Sequence, residues 1–214
     1  MNADDLARFL RANPQFFDQN PELLESIHVP HPYGGRAIPL AERQTVALRE
    51  KVKVLESRLA ELIRFGEEND QISEKVHRLC VALGGARDFP TLTRSLYFHL
   101  REDFAVPHVT LRVWGKAVPA DFEEAQPVSE AQRQQAATMG APQCGPAQGN
   151  AFSQWFGEAS EHIRSIALVP LGDIAVFGVL AMASEDAKRF YPDMGTLYLR
   201  RIGELCAAGV TARL

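Results

Sequence analysis

The chain is poor in the residues that mark the most recognisable chemistries. It has three cysteines, six histidines and two tryptophans among 214 residues. Cys80, Cys144 and Cys206 are too few and too scattered for a disulfide framework, and an odd number leaves at least one unpaired. A reducing compartment is the simpler reading. No G-x-x-x-x-G-K-S/T, H-E-x-x-H, G-x-S-x-G or G-x-G-x-x-G occurs, so the common catalytic and phosphate-binding signatures are missing. An excess of positive charge is missing too. Lys and Arg number 23 against 27 Asp and Glu, a formal net charge of −4, so nucleic acid is not indicated as a partner. The N-terminus, MNADDLARFL, is acidic where a signal peptide needs positive charge. The longest apolar run, residues 166–183, is interrupted by Pro170, Gly172 and Asp173, which fit a turn between two buried strands better than a membrane span. These absences lead to the expectation of a cytoplasmic protein with no membrane partner, no metal and no cofactor.

What is present begins with segmented helices. Asn13-Pro14 and Asn20-Pro21 each read as the end of one short helix and the start of another, with Asn capping and Pro in the first turn. Leu6, Phe9, Leu10, Phe16, Phe17, Leu23, Leu24 and Ile27 give this cluster an apolar face. Helices this short need a packing partner. The stretch HVPHPYGGRAIPLAERQ, residues 28–44, follows. Its His28 and His31 have the spacing of a metal pair, but they lie in a Pro-rich segment, and a zinc site needs three or four ligands. The segment reads as a connector.

From Leu40 the pattern changes to a heptad. Thr45, Leu48, Val52, Leu55, Leu59 and Leu62 recur in alternating steps of three and four. Val52 at position a with Leu55 and Leu62 at d favours a parallel two-stranded coil. Lys51 at g would face Glu56 at e of a partner, whereas the next such pair, Arg58 with Ile63, is neutral. Dimerisation is therefore assigned to Leu48, Val52, Leu55, Leu59 and Leu62; the alternative is an amphipathic helix packed within its own chain. The seam continues as Phe65, Asn69, Ile72, Val76, Leu79 and Leu83. Two consecutive steps of three, together with Gly66, predict a bend, a break or a hand-over to the next domain near residue 66.

The remaining two thirds read as mixed α and β. Residues 90–104 form an amphipathic helix beginning at proline, and 108–115 a half-buried strand with Val109, Leu111 and Val113 inward. Residues 116–150 carry weak signals beyond a helix at 129–139. The runs IRSIALVPL and AVFGVLAMA are apolar throughout, as central strands joined by a hairpin at Gly172-Asp173 would be, and a long helix from Pro192 closes the chain. The class is α+β: an antiparallel sheet flanked by helices.

The run from Ser165 to Cys206 resembles the second half of a GAF domain. The matching positions are Ser165, Val169-Pro170-Leu171, Gly178-Val179-Leu180, Ser184 with Asp186, and Arg189-Phe190. FLRANPQFFDQNPELL, PHPYGGRAIPLAERQ and LIRFGEEND are similar to the bacterial family named domain of unknown function 484, and the likeness covers nearly the whole chain. The family's usual serine is Pro39 here, so a Ser-x-x-Glu capping box with Glu42 is lost and the helix must start otherwise. The resemblance implies a GAF-like domain with about six antiparallel strands flanked by helices, often dimerising through a helix continuous with a coiled coil. The expected organisation is a helical cluster and connector over 1–38, a long dimerising helix over 39–66, and a GAF-like domain over 67–214.

Candidate ligand contacts are Trp114, Cys144, Phe152 and Trp155: aromatic walls suit small-molecule sites, and Cys144 falls where a GAF pocket is covered. Core packing and an ordinary thiol are the competing readings. The function expected is a non-enzymatic, homodimeric sensor or adaptor that binds an unidentified small molecule or an unknown protein partner. The alternative is a pure interaction module whose pocket its own side chains fill. An enzyme with a dispersed catalytic set is the least favoured reading.

Overall fold

The computed structural model describes residues 2–29, 38–115, 118–172 and 175–214. The chain divides into two compact units, Met1–Glu67 and Glu68–Leu214.

The first unit opens with α1 (Ala3–Ala12), whose Asn2 and Asp5 form a reciprocal capping box. Then come α2 (Phe16–Gln19) and α3 (Pro21–Ser26). A helix ends at each Asn-Pro step and Pro21 opens α3, whereas Pro14 lies two residues before α2, and the asparagine side chains do not cap the following helix. Asn13 Nδ2 donates to Phe9 O and Asn20 Nδ2 to Phe16 O, both at 2.9 Å, so each closes the preceding helix instead of capping the next. The reason is the orphan carbonyls at a helix C-terminus, which an amide NH2 serves as readily as its oxygen serves an N-terminus. Phe9, Phe16 and Phe17 pack edge to face, 5.9 and 5.6 Å between ring centroids, yet no residue of α1 or α2 is buried. A two-residue ladder pairs β1 (His28–Val29) with β2 (Ile38–Pro39). His31, Gly35 and Ala37 lie outside the described residues, as does Asp173 of the hairpin.

Helix α4 runs from Leu40 to Gly85 and is helical through Gly66, so no break falls there. Gly66 has nothing within 4 Å of where a Cβ would stand. Its cost of about 1 kcal/mol is small beside the propagation energy of so long a helix.

In the second unit, α5 (Phe89–Glu102) starts at Asp88, whose carboxylate accepts from Thr91 N at 2.8 Å. The sheet consists of β3 (His108–Val113), β4 (Gln143–Pro146), β5 (Ser165–Leu171) and β6 (Gly178–Ser184) in the order β3-β6-β5-β4, every neighbour antiparallel. The sheet has four strands among the described residues, not about six. Within the Pro-, Gly- and Gln-rich stretch 118–150, only β4 joins it, and the rest forms a 3-10 turn (Glu123–Ala125) and α6 (Glu130–Thr138). The closing helix α7 is shorter than expected, Leu197–Thr211. The apolar runs do form the two inner strands, and Gly172 turns between them at φ 116°, where a side chain would be strained.

Both faces of the sheet are covered. On one, Val109, Leu111 and Val113 of β3, Val169 and Leu171 of β5 and Leu180 and Met182 of β6 join Leu79, Leu83, Leu92, Leu96, Ile202 and Val210 from the helices. On the other, Ile166, Leu168, Val179, Ala181 and Ala183 lie with Ala136, Met139 and Phe152. Strand β3 is therefore not half-buried: Thr110 and Arg112, read as its solvent face, are buried as well. Helix α7 approaches closely, since a Cβ on Gly203 would stand 2.5 Å from Val169 Cγ1. Arg213 fastens it to the end of α4 by donating to Leu83 O and Ala86 O, and Tyr198 Oη bonds Asn69 O and Ser73 Oγ further along. The resemblance positions Ser165, Asp186 and Phe190 also meet: Ser165 Oγ donates to Asp186 O and accepts from Phe190 N.

Candidate functional site

The second face of the sheet carries the strongest site. Its cover is a 3-10 segment, Ala151–Glu161, interrupted by a non-helical Gly157. Asn150 caps it by accepting from Phe152 N, Ser153 Oγ ties it to Ala147 O, and Gln132 Nε2 of α6 reaches Ala151 O. Phe152 is thereby driven fully into the core, and Trp155 packs edge to face on it at 4.9 Å. Trp114 belongs to the same layer, its Nε1 donating to Val176 O at 3.1 Å.

Three of the four candidate ligand residues thus share one layer, and Cys144 does not. It lies on β4 opposite Ala167 and packs with the helix-side core. Burial pushes its thiol up, away from the thiolate that a reactive cysteine needs. Of the four, Trp155 lines a cavity of about 450 Å³, walled by His108, Thr110 and Arg112 of β3, by Glu123, Gln126 and Pro127, and by Gln154, Phe156 and Gly157.

Arg112 is 6% exposed. Its guanidinium donates to Glu123 O and, at 3.1 Å, to Gln126 Oε1, and its Cζ lies 6.0 Å from the Trp155 ring centroid. Beside it, His108 Nε2 donates to Glu185 Oε1 at 2.7 Å, which holds the Glu185 carboxyl below its usual range. On the outer edge of β3, Tyr97 Oη donates to Glu124 Oε1 at 2.7 Å and accepts from Leu111 N at 3.3 Å. Burial first, then the Glu124 charge, pushes this phenol far above its usual range, so it stays neutral. Reading β3 as half-exposed hid Arg112. The available signal was an arginine between Leu111 and Val113 of an apolar strand, with Trp114 next to it.

Further cavities lie in this unit. One of about 610 Å³ runs between α7 at Arg200–Ala207, residues 139–142, and Pro170, Gly172, Ala175 and Val176. Another, about 530 Å³ and mainly apolar, lies beside Phe104, Met182, Phe190 and Met194. Among the described residues no three His, Cys, Asp or Glu side chains are grouped to hold a metal, and no helix is long and apolar enough to cross a membrane. His31 lies outside the described residues and bears on neither statement.

The five candidate dimerisation residues lie on one run of α4. Leu48, Val52, Leu55, Leu59 and Leu62 are between 50% and 66% exposed.

The fold and the site define an α+β protein: a two-faced antiparallel sheet with a polar cavity on one face, preceded by a long helix with an uncovered apolar seam. More particularly, the chain belongs to the family described as Protein of unknown function, DUF484, whose sequence model matches residues 1–211. It is 25% identical over 201 residues to Uncharacterized protein YigA of Salmonella typhimurium, covering 91% of this chain and 84% of that one. The Escherichia coli K12 YigA is 26% identical over the same shares. Among solved structures, the chain is similar to the A. aeolicus nlh2 GAF domain in an inactive state. That likeness has 18% identity and a TM-score of 0.47, over 68% of this chain and 99% of that domain.

Proposed function

We propose that this protein is a cytoplasmic, non-enzymatic sensor or adaptor that dimerises through the first half of α4. In this reading its second unit binds a small molecule on the β3 face of the sheet. The carrying observation is the seam: five large aliphatic side chains in three- and four-residue steps, all at least half exposed. Fully burying one such side chain is worth about 1.5–3 kcal/mol, and a second copy offers the matching stripe. The residue types argue for that copy, with β-branched Val52 at a, Leu55 and Leu62 at d, and Lys51 facing Glu56 across the seam. The absence of buried residues in α1 and α2 supports a role for that cluster as a contact surface for a protein partner. Helix α4 carries the response, because α7 is bonded to it through Tyr198 and Arg213 and packs on β5 through Gly203. Cys144 and Cys206 are poorly suited as nucleophiles, since burial raises both thiols, the latter to about 12.

Light scattering of the full chain at tens of micromolar tests the dimer. The expected mass is twice that of the 23.7 kDa chain, falling to one chain in the double variant Leu55→Glu, Leu59→Glu. A monomeric wild type, or an unchanged mass in the variant, refutes the coil. A pure interaction module is favoured instead by one observation: Phe152 of the candidate set is entirely enclosed by the protein's own side chains. Mass spectrometry of small molecules released from the denatured protein separates the two readings, since the module releases none.

A further inference from the structure

We infer that the cavity on the β3 face is an oxyanion site, in which Arg112 takes the carboxylate or phosphate group of a small molecule while Trp155 and Phe156 take its apolar part. This rests on the reading that the second unit binds a small molecule, and it specifies the chemistry. A charged group removed from water is costly unless it is paired. Arg112 is almost wholly buried, yet its hydrogen-bond acceptors are two neutral oxygens, the Glu123 carbonyl and the Gln126 amide. None of the ion pairs among the described residues includes it. The buried acid of the neighbouring turn, Glu124, accepts from Tyr97 instead.

A guanidinium has five N–H donors in a planar fork that matches a carboxylate or phosphate in two-point contact. Two partners leave part of that fork unused on the wall of a cavity of about 450 Å³, within the size range of small-molecule sites. Thr110 stands two residues before Arg112 on the same face of β3. It is buried and lines the same wall, and its hydroxyl takes no part in the side-chain hydrogen bonds of the described residues. It is the natural second donor. His108 on the same wall is engaged by Glu185, and Arg101 lies at the exposed rim of the cavity, so the buried positive charge without a charged partner is that of Arg112. Its stacking near Trp155 places an aromatic surface beside the anion, which suits a ligand with one anionic and one flat apolar end.

The chain's two tryptophans make the test direct. In full-length Trp114→Phe protein, emission comes from Trp155 alone. This protein is titrated at constant ionic strength with inorganic phosphate, with benzoate and with uncharged benzamide. The expected result is a saturable change with phosphate or benzoate, at least tenfold weaker with benzamide. The stronger of the two anions tells phosphate from carboxylate. Arg112→Gln abolishes the response; because that variant also loses a structural contact, Thr110→Val is run beside it, with a several-fold weaker response and unchanged circular dichroism. Arg101→Gln, at the exposed rim, leaves the midpoint within about twofold. Equal binding of benzamide and benzoate overturns the oxyanion site while leaving a small-molecule cavity. No saturable response to any of the three overturns both the oxyanion site and the cavity's role in small-molecule binding.

Discussion

In the first half of α4, Leu48, Val52, Leu55, Leu59 and Leu62 stand open. In its last turns Val76, Leu79 and Leu83, on the same run of three- and four-residue steps, are buried in the core against the sheet. The two halves have the same kind of sequence and opposite surroundings. Periodicity of this kind says that a stripe requires cover; it does not say whether the cover comes from the same chain or another. The C-terminal half finds it at home, because α5, α7 and the inner strands supply a closed apolar surface. Among the described residues the N-terminal half has α1–α3 and a two-residue ladder in its own unit, and α1 and α2 bury nothing. The difference between the halves thus marks the exposed stripe on which the proposed second copy would pack.

Four measurements test that contrast. The largest effect is expected in thiol labelling. Cys80 is exposed although it follows the fully buried Leu79 on α4, whereas Cys206 is fully buried and burial pushes its thiol up to about 12. Cys80 should react with an alkylating reagent at the rate of an open thiol. Cys206 should react only through unfolding, at least about 10³-fold slower for a domain of ordinary stability. Equal rates would mean that the helix-side core is loose.

Next, Leu79→Ala should cost the second unit about 2–5 kcal/mol in urea unfolding, the usual result of a large-to-small change in a core. Leu55→Ala should stay within about 0.5 kcal/mol when measured at concentrations where the chain is monomeric, as for other surface substitutions. Similar costs at the two sites would erase the distinction.

Gly66→Ala joins the halves. With no atom near the added methyl, it should stabilise α4 by about 1 kcal/mol, seen as greater helicity in the melting transition. A loss of helicity would show that Gly66 is needed for a bend.

The smallest effect is electrostatic. Asp103 accepts from His99 Nδ1 at 2.6 Å and from Arg78 Nη2 of α4 at 3.1 Å; these, the His99 bond first, lower its carboxyl below the usual value. The unfolded chain then binds the proton more readily than the folded one, so the contribution is present above about pH 4 and fades as the pH drops further. For a partly exposed pair it amounts to at most about 1 kcal/mol. Asp103→Asn should flatten the acid limb of a stability-versus-pH curve without moving the value at pH 7 by more than that.

Some of this was legible in the sequence, and the reasons are specific. The inner strands stood out because Ile166–Leu171 and Val179–Ala183 are apolar on both faces, as a doubly covered strand must be. The seam of α4 stood out because its repeat persists. The cover of β3 was invisible: Ala151–Glu161 folds as a 3-10 segment with Gly157 breaking it, so it has neither helical nor strand periodicity. Without the cover, Thr110 and Arg112 look like solvent-facing residues. The site was half legible for the same reason. Aromatic residues drew attention to Trp155, but Arg112 meets it only after the chain has crossed α6 and β4. Cys144 was expected at the site because its segment reads as a loop covering a pocket, whereas it forms β4, whose pleat turns it toward the opposite core. The asparagines of the Asn-Pro steps misled because one amide serves either end of a helix.

The treatment of the sheet's two margins has a consequence for how the protein behaves when concentrated. A strand edge with free amides invites another chain to extend the sheet, the route to fibres. Here the Leu111 amide on the outer side of β3 is occupied by the Tyr97 hydroxyl, and the turn at Glu123–Ala125 is held over that margin by Arg112. The opposite margin, β4, is four residues long and ends in Pro146, which has no amide hydrogen to offer. Growth by strand addition is opposed at Leu111 and Pro146. Opening the β3 margin, as Tyr97→Ala would by freeing the Leu111 amide, is expected to raise the tendency of the sheet to be extended by another chain.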